Sequence, residues 1–164
     1  MTTRSRTAVA ASIVGVLAVT LYATWAAVHI LVINPLAAVP DTGLVEIYAT
    51  MSDAGQMFSI GWVFAILGLG VVLAVAVAWV CIASKSPPVV AISAQLGLLI
   101  SGAPAYFIAS FGPGMSLADT YLISGGSHSP WHLPLYAISA LAAVAVIAIA
   151  VAVPMRLRSA PAVV

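Results

Sequence analysis

Four stretches of this chain are apolar for the depth of a bilayer and carry no Asp, Glu, Lys or Arg. They run from about Thr7 to Ile33, from Met57 to Ala83, from Val89 to about Ser110, and from about Trp131 to Val153. A helix crossing a hydrocarbon core of about 30 Å needs roughly 20 such residues. Lipid offers no partner to an open backbone N–H or C=O, so stretches of this kind must be helical. The expected fold is all-α, an integral membrane four-helix bundle forming a single transmembrane domain over residues 1–164. Composition closes the alternatives. Only 5% of the residues are charged and 63% are hydrophobic, which is too little charge for a water-facing surface and too apolar for disorder. A net charge of +1 leaves no footprint for nucleic acid. The single cysteine, Cys81, excludes an intrachain disulfide and a cysteine-based metal cluster.

The few charges sort by side. Arg4 and Arg6 precede the first span, Lys85 lies between the second and third, and Arg156 and Arg158 follow the fourth. Asp41, Glu46, Asp53 and Asp119 all fall in the intervening connections. By the positive-inside rule the basic side is cytoplasmic, so both termini are expected there and the acidic connections outside. The first stretch is read as a retained span. It is longer than the 7–15 residues of a signal peptide's apolar region and carries Tyr22, Trp25 and His29. The abundance of Ala and Val suits a GC-rich bacterial genome, and the expected location is a bacterial plasma membrane.

The inner connection, Ser84 to Pro88, is a tight turn closed by Pro87-Pro88, which cannot continue a helix. The outer connections are longer. Asn34-Pro35 is expected to end the first span, because the residue before proline avoids helical angles. Asp41 or Thr42 then caps a short amphipathic helix over about 42–54, with Leu44, Ile47, Tyr48 and Met51 on one face. A second short outer helix is expected at about 116–123, with Ser116 and Asp119 spaced as a capping box. Leu44-Val45-Glu46-Ile47-Tyr48 and Leu117-Ala118-Asp119-Thr120-Tyr121 share the pattern Leu-x-acid-x-Tyr. That match raises a duplicated helical hairpin, two copies related by an axis along the membrane normal.

Helices in lipid associate through small residues that let backbones approach. Ser93, Gly97, Ser101 and Ala105 form such a face on span three, and Gly61, Ala65, Gly70, Ala74 and Ala78 supply small residues on span two. The alternative use of these faces is a homodimer seam. Pro104 is expected to kink span three.

Aromatic residues crowd the outer half: Tyr22, Trp25, Trp62, Tyr106, Phe107, Trp131 and Tyr136 among them, with Trp79 near the inner surface. An interfacial belt is the ordinary source of such rings, but a belt occupies both interfaces. The competing expectation is an aromatic-lined cavity or docking surface that opens outward. Three histidines, His29, His128 and His132, also lie on this side, with Met51, Met57 and Met115. Histidine and thioether ligands suit copper, and histidine with carboxylate suits zinc; ordinary interface hydrogen bonding is the alternative. Ser129, followed by Pro130, is expected to cap span four. Gln95 is the notable polar group within a span, and hydrogen bonding to a neighbouring helix accounts for it.

Catalysis is not expected. The spans hold no carboxylate, Lys or Arg for a proton relay, and the serines beside His128 and His132 have the composition of a loop. The sequence therefore points to a small non-enzymatic membrane protein, without a cofactor, whose outer face binds a protein partner or a lipid-like ligand. A small oligomeric transporter or channel and an outer-side copper or zinc protein are the alternatives.

Overall fold

The computed structural model describes residues 3–56 and 58–158. Met57, and the side chains of Arg4, Arg156 and Arg158, lie outside the described part. All regular structure in that part is helical. Helix α1 covers Thr3–Val28, a π-helical turn His29–Ile33, α2 Asn34–Ala38, α3 Leu44–Asp53, α4 Ile60–Ala83, α5 Pro88–Ile100, α6 Gly102–Tyr121, a 3-10 turn Pro130–His132, and α7 Leu133–Arg158. Four segments are long and apolar enough to cross a membrane: Arg6–Ala38, Ile60–Ala83, Pro88–Tyr121 and Pro130–Val153. Helix α1 packs on α4 and α5, α5 on α4 and α7, and α6 on α4 and α7. The bundle has an acidic end, with α3 and the 3-10 turn, and a basic end, with the Lys85 hairpin.

The first span does not stop at Asn34-Pro35. The chain widens to a π turn at His29–Ile33 and runs on into α2. Asn34 N–H reaches back to the His29 carbonyl, one residue further than in an α-helix. In α-helical register Leu31 C=O would accept from residue 35, and proline has no N–H. The Tyr48 hydroxyl donates to that carbonyl at 2.8 Å. The bulge and a side-chain donor from α3 together let the helix pass a proline.

Helix α3 is not capped by Asp41 or Thr42 and begins at Leu44. Gly43, in extended conformation and with no side-chain cap, precedes Leu44, while Asp41 takes a left-handed φ of 65°, which Asp tolerates in turns. The apolar face is as read: Ile47 and Met51 are buried with Leu117, and Ala38, Val39, Tyr48, Phe58, Tyr121 and Ile123 pack around them.

The second short outer helix is absent as a separate element. Residues 116–121 are the last turns of α6, and Ser116 is buried mid-helix, its carbonyl accepting from Thr120 Oγ1, so it forms no capping box. Pro113 sits inside α6 and is buried. The two Leu-x-acid-x-Tyr segments thus differ in context, one in a detached helix and one ending a span, yet they meet in a single cluster. The alignment that matches Leu44 with Leu117 also sets His29 opposite Gly102. The two long spans are therefore interrupted at corresponding points.

Span three breaks at Ser101, between α5 and α6, three residues before Pro104. The close approaches are not those expected from small residues alone. A Cβ on Gly97 or Gly70 would meet nothing within 4 Å, whereas one on Gly15 would lie 2.3 Å from Gln95 Cγ and one on Gly102 2.7 Å from Tyr22 Cζ. Ser101 is exposed, and Ser93 and Ala105 are only partly covered. The inward face is instead Ala91, Gln95, Gly102, Tyr106 and Ala109. Large side chains need the glycines opposite them, so glycines elsewhere stay open. Ala74 is fully buried, and its carbonyl accepts from Gln95 Nε2 at 3.0 Å.

Candidate functional site: an aromatic and histidine cluster at the acidic end

Helix α1 places Ala8, Ser12, Val19, Tyr22, Ala26 and His29 inward, spaced by three, four or seven residues as one helical face requires. From the start of span four come His132, half-buried at the end of the 3-10 turn, and, on α7, Tyr136, 39% exposed, and the buried Ser139. Tyr106 enters from α6, just past the Ser101 break. These three stripes converge around a core of Ala26, Ile30, Val63, Leu67, Ala109 and Leu135.

The two interrupted spans meet at one hydrogen bond, between Tyr106 Oη and His29 Nδ1 at 2.9 Å. Both residues are buried, His29 at 1% exposure. With the phenol donating, the histidine proton sits on Nε2, which has no hydrogen-bond partner among the described residues. The His29 ring lies 5.7 Å from Tyr106 and 6.0 Å from His132, edge to face. Tyr136 closes the group, 5.7 Å from Tyr106 and 6.0 Å from His132. His132 is anchored by Nδ1, 2.6 Å from the Ser129 carbonyl.

One turn deeper, Ser139 donates to the Leu99 carbonyl at 2.7 Å, and its Oγ is 3.4 Å from the Tyr22 hydroxyl. Leu99 lies two residues before the break in span three, so α7 supports the backbone there.

On the α1–α7 flank of this cluster is a cleft of about 520 Å³, lined by Ala18, Leu21, Tyr22, Trp25, Leu99, Trp131, Pro134, Leu135 and Ile138. Its walls are almost wholly apolar. Trp25 and Trp131 frame it at the acidic end, rings 5.9 Å apart and nearly perpendicular. Trp25 Nε1 donates to the Trp131 carbonyl at 3.1 Å. Ser129 caps the turn below, as expected, accepting from Trp131 N–H. Edge-to-face contacts of this kind add about 0.5–1.5 kcal/mol beyond area burial, enough to hold the two indoles in a defined relation.

Of the seven aromatic residues singled out by sequence, five join this site: Tyr22, Trp25, Tyr106, Trp131 and Tyr136. Trp62 and Phe107 do not; they are 57% and 58% exposed on faces that point away from the core, and Phe107 stacks on Phe111. Of the three histidines, His29 and His132 are brought together and His128 is not. The His128 backbone N–H donates to Asn34 Oδ1 at 2.7 Å, and its Nε2 lies 3.0 Å from the Ser124 carbonyl. Those bonds pin the loop instead of extending a ligand. No group of three or more His, Cys, Asp or Glu is placed to hold a metal ion among the described residues.

Sequence reasoning missed Ser139, Leu99 and Asn34. Ser139 carried a signal, because it follows His132 and Tyr136 at i+7 and i+3 on one face of an otherwise apolar helix. Leu99 carried none; its role depends on a backbone carbonyl. Comparison with protein-family models, with curated proteins and with solved structures finds no match to this chain.

Proposed function

We propose that this chain is a small multi-pass protein of the plasma membrane that binds a lipid-like ligand in the cleft between α1 and α7, acting by binding and not by catalysis. Both chain ends are placed on the cytoplasmic side, on the strength of the basic residues gathered at that end. The observation that carries the reading is the cleft itself. Its volume, about 520 Å³, falls within the roughly 300–1,000 Å³ of small-molecule sites, which are mostly apolar with a few placed polar groups. It opens sideways, past Leu21 and Ile138, which are 69% and 41% exposed, so a ligand would enter from the bilayer. The two indoles stand where a ligand's head would leave the hydrocarbon, the depth that amphipathic rings favour. Behind the cleft wall, the paired tyrosine, serine and histidine groups hold its shape.

Native mass spectrometry of the protein released from its own membranes tests this. One lipid species is expected to be retained at stoichiometric level, beyond the bulk lipids. Ala18→Phe fills the cleft and should abolish that retention, whereas Val144→Phe, on an exposed face of α7, should leave it unchanged. Equal retention by wild type and Ala18→Phe would refute the proposal.

A further inference from the structure

Resting on the cleft reading above, we infer that its ligand is an uncharged lipid with one long chain and a flat head bearing carbonyl acceptors, a prenyl quinone in chemical class. Three observations select this occupant over an ordinary phospholipid. The first is charge. Every carboxylate of the chain, Asp41, Glu46, Asp53 and Asp119, belongs to the end where the cleft's indoles stand, and every Lys and Arg belongs to the other. A phosphate head at the Trp25–Trp131 mouth would meet no lysine or arginine to pair with.

The second is size. The cleft's volume, about 520 Å³, is that of one small-molecule site, roughly 300–1,000 Å³, which suits a single prenyl chain. The third is the donor inventory of the mouth. Trp25 Nε1 is spent on the Trp131 carbonyl, but Trp131 is 57% exposed and its own Nε1–H has no partner among the described residues. A free indole N–H donates and does not accept, so it fits a carbonyl oxygen. The edge-to-face indole pair also leaves an aromatic surface on which a planar head can stack.

The test uses the full-length protein in phosphatidylcholine nanodiscs with Trp62 and Trp79 replaced by Phe, so that emission comes from Trp25 and Trp131. A prenyl quinone with a tail of three isoprene units, which quenches indole emission, is titrated in. Saturable quenching is expected at a mole fraction at least tenfold below that needed for bulk quenching by the same probe. Trp131→Phe should weaken binding about fivefold, read from the remaining Trp25, while circular dichroism stays unchanged. Neither dioleoylglycerol nor phosphatidylglycerol should displace the quinone. Displacement by phosphatidylglycerol would overturn the charge argument, and displacement by dioleoylglycerol the single-chain argument, with the cleft reading still standing in both cases. Absence of saturable quenching by the quinone, alongside stoichiometric retention of another lipid that Ala18→Phe abolishes, would overturn this inference alone. If no lipid is retained either, the cleft reading falls with it.

Discussion

Replacing Tyr48 by Phe removes one hydroxyl and should expose the device that carries the first span past Pro35. The Tyr48 O–H donates to Leu31 C=O at 2.8 Å, the carbonyl that residue 35 would serve in an α-helix had it an N–H. A net hydrogen bond contributes about 0.5–1.5 kcal/mol, and a buried carbonyl left without a donor costs about 1–3 kcal/mol. Measured values between membrane helices run lower, near 0.6 kcal/mol on average. Tyr48→Phe should therefore lose about 1–2 kcal/mol, roughly a 5–30-fold fall in the folded-to-unfolded ratio. The decisive comparison is a double-mutant cycle. Pro35→Ala returns a backbone donor to the same turn, so in that background Tyr48→Phe should cost no more than about 0.5 kcal/mol. The coupling, about 1 kcal/mol, is within the range for residues sharing one hydrogen-bond network. Reversible unfolding in mixed micelles of rising dodecyl sulfate content, followed by circular dichroism, gives all four stabilities. Equal losses in the two backgrounds would show that the tyrosine does not serve the carbonyl that proline leaves open.

Two further outcomes follow from the same structure. Gly15→Ala should destabilise by about 1–3 kcal/mol, the usual range for overpacking. Its Cβ would lie 2.3 Å from Gln95 Cγ and force that side chain off the Ala74 carbonyl. Gly97→Ala, which meets nothing within 4 Å, should be neutral or up to about 1 kcal/mol stabilising; thermal unfolding of the two variants side by side would refute the packing assignment if their order were reversed. Burial pushes the Tyr48 phenol up to about 12 from an ordinary value near 10. With the folded value above the unfolded one, its contribution is whole below pH about 10 and lost as pH rises through about 12. The stability advantage of wild type over Tyr48→Phe should be flat up to pH about 10 and shrink above it, and an advantage that grew with alkalinity would contradict the sign.

Much of the architecture was legible because it depends on one-dimensional quantities. Apolar length marked the four long helices, and the 3.6-residue period marked the buried face of α3 through Ile47 and Met51. Pro87-Pro88 marked the turn that keeps α4 from continuing, and Ser129-Pro130 the start of the fourth long segment, by local backbone chemistry. Misreadings occurred where a local rule met a distant partner. Asn34-Pro35 reads as a stop because the residue before proline avoids helical angles, yet Asn34 is helical at φ −67° and ψ −45°, and the Tyr48 hydroxyl from another helix reaches the Leu31 carbonyl that proline cannot serve. Leu117 to Tyr121 read as a new helix because its pattern resembles α3, yet α6 runs through Pro113 to reach it. Gly97 read as a contact because small residues permit close approach, but permission becomes contact only where a large side chain stands opposite, as Gln95 does at Gly15.

The candidate site divides the same way. Sequence alone established which residue types crowd the acidic end, and that Tyr22 and His29 share one face of α1, since helical geometry relates positions seven apart whatever surrounds them. Tertiary structure alone decided that His29 bonds Tyr106, that His128 is drawn to Asn34, and that Trp25 and Trp131 stand together over a cleft. Those outcomes depend on how four helices are rotated and shifted against one another, and that arrangement is set by the sum of many small packing contacts between residues far apart in the chain.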